Sequence, residues 1–213
     1  MNQEKYYYAT SIGSSIAKKV FAGRNTYDWF KGYKDDQYTH KLDQDLIWQD
    51  PLLAKIHPFV NGRLDLLMSP PRSMYQWHVD QTNDWNLNFY STLKNKHTMF
   101  IAEKGDHPWD TQDPPIQEIK ALIPLVYAEM NEDKWNVLNP RIVHAGNNFN
   151  AEPVMIFQYV AKTYVNDKPS YTEIIEYIKN YERELNTMNT NEYLVYPEQE
   201  GEWDRPLNPY SPV

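Results

Sequence analysis

The segment Met74 to Asp80 reads MYQWHVD. Successive side chains on an extended strand point to opposite faces, so Met74, Gln76, His78 and Asp80 share one side and Tyr75, Trp77 and Val79 the other. His78 and Asp80 therefore project together. A second histidine, His144 in NPRIVHAGNN, is the later partner that would complete a two-histidine, one-carboxylate face. Such a face binds a divalent metal, Fe(II) above all, and leaves its remaining positions open for substrate and oxygen. The expected metal ligands, and the residues expected to carry catalysis, are His78, Asp80 and His144. An H-x-D triplet also occurs among ordinary strand polar residues. The aromatic, strand-like setting of His78 distinguishes it from a His-Asp pair in a polar loop.

Placing residues so far apart in sequence on one site calls for strands from different parts of the chain. Ile12, Ile16 and Val20 predict a short helix capped near Ser11 and closed around Gly23. Residues 25–50 read as loops with a short helix, and His40 and His57 as surface or satisfied polar residues. Arg63 to Met68 reads as a strand broken by Pro70-Pro71. Trp85 to Leu93 alternates Leu87, Phe89, Ser91 and Leu93 with Asn86, Asn88, Tyr90 and Thr92, a strand with one polar face. Thr98 to Ala102 follows the turn-like Lys94-Asn95-Lys96, which predicts a hairpin. Residues 103–115 read as a loop over a barrel mouth, with His107 facing solvent, and Ile116 to Ile123 as helix or turn. Three short strands follow, Trp135 to Leu138, Arg141 to Ala145 and Val154 to Val160, with a turn at Gly146-Asn147-Asn148. The expected fold is mainly β, a jelly-roll barrel with flanking helices.

Past Lys168 the pattern becomes helical. Ser170 and Glu173 form a capping box, and Ile174, Ile178, Tyr181 and Leu185 an apolar stripe. Residues 189–213 carry Pro197, Pro206, Pro209 and Pro212 among aromatics, which predicts an extended tail. The expected organisation is one domain over residues 1–188 and a tail over 189–213. That tail would be pinned to its own domain or to a neighbouring subunit, as in a homo-oligomer or an assembly.

A chain of 213 residues with 41% hydrophobic and 23% charged residues is that of a folded globular protein. Its net charge of −8 argues against a broad nucleic-acid surface, which needs Lys and Arg. With no cysteine, any metal must rest on His, Asp and Glu. The start MNQEKYYYAT lacks a signal-peptide pattern, and no segment is apolar enough for a membrane span. A soluble, cytoplasmic protein is expected.

WHVD, the polar-faced strand NLNFY, the strand HTMF and RIVHAGNN together resemble the Fe(II)/2-oxoglutarate-dependent oxygenases, whose double-stranded β-helix (a cupin-like barrel) presents an H-x-D…H triad. The resemblance spans about Arg63 to Val160 and looks like the short bacterial and phage versions. It implies Fe(II) as metal, 2-oxoglutarate and O₂ as co-substrates, and hydroxylation of a small-molecule or peptidyl substrate. Many members hold the far carboxylate of 2-oxoglutarate with an Arg on the strand after the distal histidine, a bidentate contact. Here that strand, EPVMIFQYV, has no Arg or Lys. By resemblance to a second branch, Lys94 or Lys96 takes that place. Arg141 is a third candidate, although alternation sets it opposite His144. Gln76, Asn88, Tyr90 and Thr98 are further candidate co-substrate contacts. Two alternatives stand beside the oxygenase. One is a non-catalytic jelly-roll structural or assembly protein, viral in type, with a vestigial metal site. The other is a cupin-like enzyme with another metal and no 2-oxoacid.

Overall fold

The computed structural model of the protein describes residues 3–31, 37–74, 80, 83–91, 97–103, 123–128, 132–142, 144–162 and 169–203. In chain order its elements are β1 (Tyr7–Ala9), α1 (Ser15–Ala22), β2 (Phe30–Lys31), β3 (Tyr38–His40), α2 (Leu46–Gln49), α3 (Pro51–Val60), β4 (Arg63–Ser69) and β5 (Ser73–Met74). They continue with β6 (Asn83–Tyr90), β7 (His97–Glu103), β8 (Ile123–Ala128), β9 (Asn136–Leu138), β10 (His144–Asn148), β11 (Val154–Lys162) and α4 (Tyr171–Trp203). By compactness the chain divides into two units, Met1–Ile175 and Glu176–Val213.

The strands form a seven-stranded sheet in the order β1-β9-β6-β11-β4-β3-β2 and a four-stranded sheet in the order β5-β10-β7-β8. Among the eight strands from β4 to β11 the pairs β4·β11, β5·β10, β6·β9 and β7·β8 are all antiparallel. First pairs with last, second with second-to-last, and so inward. That nesting is what a long hairpin produces when rolled up, the jelly roll expected from the sequence. Among the described residues no strand of one sheet pairs with a strand of the other, so the barrel is open there, although Asn148 Nδ2 of β10 donates to the Ser69 carbonyl of β4 at 3.1 Å.

Alternation gives the large sheet two distinct buried faces. On β6, Trp85, Leu87 and Phe89 are fully buried on one side, while Asn86, Asn88 and Tyr90 are buried on the other. The apolar side carries helices: the Phe89 ring lies 6.2 Å from Phe21 of α1, and the Tyr159 hydroxyl of β11 lies 2.8 Å from His57 Nδ1 of α3. Leu52, Leu53, Ile56 and Val60 bury the inner stripe of α3. Both helices start at linked caps. Ser14 Oγ accepts from Ala17 N–H, Asp50 Oδ1 accepts from Leu52 and Leu53 N–H, and the Ser14 hydroxyl donates to Asp50 Oδ2 at 2.5 Å. α3 has Pro51 at its first turn and ends on Asn61 in the left-handed region at φ 49°, which Asn tolerates.

Several expectations are corrected. The N-cap of α1 is Ser14, not Ser11, and the helix starts at Ser15, because the Ser14 hydroxyl meets both Ala17 N–H and the Asp50 carboxylate. The expected hairpin between the strands now numbered β6 and β7 does not form. β6 pairs with β9 and β11, and β7 with β8 and β10, because consecutive jelly-roll strands cross between sheets. Gly146-Asn147-Asn148 is not a turn but the end of β10, held in register by β7 on one side and β5 on the other. Pairing on two edges overrides the local turn preference of Gly and Asn. The extended tail is also corrected: α4 continues through Trp203. Glu, Gln and Leu are good helix formers, and Pro197 is the one proline within it. The Ser170–Glu173 capping box forms as expected, with reciprocal bonds of 2.7 and 3.3 Å. Residues 204–213, the 104–122 part of the expected loop and turn, and His107 lie outside the described residues.

Candidate metal centre

A cavity of about 690 Å³ opens on the polar face of the large sheet. Asp80 and His144 both line it, with Asn83, Asn86, Asn88 and Tyr90 from β6 and Ile156 and Gln158 from β11. Thus two of the three expected metal ligands meet at one cavity. The third, His78, lies outside the described residues, as do Gln76, Lys94 and Lys96. Among the described residues no group of three His, Asp or Glu side chains is arranged to hold a metal.

The loop between β9 and β10 contacts both Asp80 and His144. The Pro140 carbonyl accepts from Asp80 N–H at 2.9 Å. Two residues later the Ile142 carbonyl lies 2.8 Å from His144 Nδ1. A carbonyl can only accept, so Nδ1 carries the proton and the neutral ring keeps its lone pair on Nε2. That tautomer is the one a metal-ligating histidine adopts when a carbonyl holds its other nitrogen. His144 is 8% exposed. The Asp80 carboxylate accepts at Oδ2 from Asn83 Nδ2 at 2.8 Å and from Asn86 Nδ2 at 3.4 Å. This donor set, one carboxylate and one imidazole with its tautomer fixed, fits a divalent metal such as Fe(II).

Deeper in the cavity a directed amide chain crosses the sheet. Gln158 Nε2 donates to Asn88 Oδ1 at 2.9 Å, and Asn88 Nδ2 donates to the Tyr90 hydroxyl at 3.2 Å. Burial pushes the Tyr90 phenol up to about 12, partly offset by the Asn88 bond, so it stays neutral at physiological pH. Beside it Tyr90, Val154, Ile156 and Leu67 form an apolar cluster. On β11, the strand after the distal histidine, the cavity residues are therefore Ile156 and Gln158, and neither is a cation.

The other expected co-substrate contacts are placed as follows. Arg141 is exposed; its guanidinium lies 3.7 Å from the Asp84 carboxylate and donates to the Asp80 carbonyl at 3.4 Å. It braces the loop that carries Pro140 and Ile142. Thr98 lies on β7, paired with Asn147 of β10. Among the described residues the Lys and Arg side chains at the cavity are Lys41, just after β3, and Arg63 of β4, and Arg63 is paired with Asp65 at 2.7 Å. The polar face of β6 was legible from alternation, but the roles of Asn83 and Gln158 were not, since a lone amide on a strand carries no spacing signal.

No family model matches the chain, and no curated protein matches it. Among solved structures it is similar to HygX from Streptomyces hygroscopicus with nickel, 2-oxoglutarate and hygromycin B bound, at 13% identity over 76% of this chain and 84% of that one, TM-score 0.44. It is also similar to an oxidoreductase of the 2OG-Fe(II) oxygenase family from Burkholderia pseudomallei, at 11% identity over 71% and 80%, TM-score 0.46. A third is AviO1 from Streptomyces viridochromogenes Tue57, at 17% identity over 73% and 84%, TM-score 0.41.

Proposed function

We propose that the protein is an Fe(II)- and 2-oxoglutarate-dependent oxygenase that hydroxylates a small-molecule or peptidyl substrate. The observation that carries this reading is the convergence of Asp80 and His144 on one cavity, with the Pro140 and Ile142 carbonyls of a single loop fixing both. His78, Asp80 and His144 would hold the metal. With 2-oxoglutarate and O₂, that centre supplies oxidation of a C–H bond coupled to decarboxylation of the co-substrate. His144 offers Nε2, Asp80 its carboxylate, and the Ile142 carbonyl prevents the ring from turning its protonated nitrogen inward. The apolar side chains of Leu67 and Ile156, which line the cavity, limit water at that end of it. Lys94, Lys96 and Arg141 remain the candidates for the far carboxylate of 2-oxoglutarate.

A second reading is favoured by the cavity residues of β11. With Ile156 and Gln158 where many relatives carry a cation, the site suits a metal enzyme that uses no 2-oxoacid. Metal binding by wild type and by the His78→Ala, Asp80→Ala and His144→Ala variants tests the ligand assignment common to both readings. Each substitution is expected to abolish Fe(II) binding, and undiminished affinity in all three would overturn it.

A further inference from the structure

Asn86 sits on β6 with both faces of its strand buried, and it is itself 4% exposed. Its Nδ2 donates to Asp80 Oδ2, and Asn83 Nδ2 donates to the same oxygen at the shorter distance of 2.8 Å. The orientation of the Asn86 amide is set by that contact, because the flipped amide would bring its carbonyl against a carboxylate oxygen. Its own Oδ1 is consequently left buried at the cavity, with no hydrogen-bond partner among the described residues. A buried amide with an unsatisfied carbonyl is unfavourable in a strand where an apolar residue would pack without that penalty. Its placement makes sense if the amide has a task at Asp80.

We propose that Asn83 and Asn86 are positioning residues for the metal ligand Asp80. Their two N–H groups converge on one carboxylate oxygen, which fixes the rotation of the carboxyl group before a metal arrives. Asn86 Oδ1 then offers an acceptor at the cavity, for a water or for an N–H or O–H group of a ligand beside Asp80. This inference rests on the metal site proposed above. Residues that hold a ligating carboxylate change metal affinity by about 10- to 100-fold when removed.

The test uses Mn(II) and Co(II) with the full chain, comparing wild type with Asn83→Ala, Asn86→Leu and Asn83→Gln. Calorimetry gives the affinity for Mn(II), Co(II) absorption reports the ligand geometry, and melting of the metal-free protein reports folding. Asn83→Ala, at a half-buried position, is the variant that keeps the test decisive if Asn86→Leu does not fold. The expected result is affinity about 10- to 100-fold weaker in Asn83→Ala and Asn86→Leu, altered Co(II) bands, unchanged melting in Asn83→Ala, and partial recovery in Asn83→Gln. Wild-type affinity and wild-type Co(II) bands in Asn83→Ala would overturn the positioning role while leaving the metal site standing. Absence of metal binding by wild type would overturn the site and this inference together.

Discussion

Replacing Asp50 with Ala should loosen two helices at once. Its Oδ1 accepts from Leu52 and Leu53 N–H at 3.1 Å each, and its Oδ2 accepts from the buried Ser14 hydroxyl that caps α1. Loss of an N-cap amounts to about 1 kcal/mol, and a buried hydroxyl left without its acceptor adds about 1–3 kcal/mol. The sum is about 3 kcal/mol, or a fall in Tm of about 6–12 °C for a chain of this size. Asp50→Asn keeps an acceptor for the helix donors and should lose about 1 kcal/mol. The pH dependence follows from burial, which raises the Asp50 carboxyl above the usual carboxylate range against the lowering effect of its hydrogen bonds. A raised acid is penalised when ionised. Its contribution is most favourable at low pH and declines as pH rises from the unfolded value to the raised folded value. Asp50→Asn should flatten that part of the profile. Circular dichroism melts across the acid-to-neutral range test both, and an Asp50→Ala variant within about 0.5 kcal/mol of wild type would refute the reasoning.

Gly62→Ala would set a Cβ 2.5 Å from Tyr159 Cζ and 2.6 Å from the Val160 carbonyl oxygen. It should destabilise by about 1–3 kcal/mol in denaturant titrations. His57 is held below its ordinary value by burial, so stability should fall as pH drops through the usual histidine range, where the unfolded chain takes the proton more readily. In His57→Asn that acid-side slope should shrink, as measured by melting at stepped pH. Arg141→Ala removes the contacts to Asp84 and to the Asp80 carbonyl at an exposed position. Metal-free stability should change by less than about 1 kcal/mol, checked by the same melts.

The polar side of β6 was legible because alternation along a strand is a local property, whereas the strand expected to set His78 and Asp80 on one face runs through residues 75–79, outside the described residues. The jelly roll was legible as a class from many short strands with Pro, Gly and Asn punctuation. Its pairing was not. Lys94-Asn95-Lys96 suggested a hairpin because neighbouring strands often pair, whereas here β6 and β7 belong to different sheets and find their partners far along the chain. Gly146-Asn147-Asn148 suggested a turn because local preference favours one, and pairing with β5 and β7 decided otherwise. The cap expected near Ser11 is instead Ser14, which accepts from Ala17 N–H and is tied by a long-range bond to Asp50 that the sequence does not show. α3 is hard to see in the sequence although Asp50 and Pro51 form a capped start, since no polar stripe marks a helix buried along one side and carrying Pro58 within it. The amides that hold Asp80 come from β6 and bear no motif; only the folded geometry brings Asn83 and Asn86 to one oxygen.

The most direct test of the central claim is an anaerobic titration of the metal-free protein with Fe(II) and then 2-oxoglutarate, followed in the visible spectrum. Tight Fe(II) binding is expected, followed by a charge-transfer band when the 2-oxoacid chelates the metal. Iron binding without a band would remove 2-oxoglutarate from the mechanism and favour the metal enzyme without a 2-oxoacid. Failure to bind Fe(II) at all would contradict the assignment of His78, Asp80 and His144.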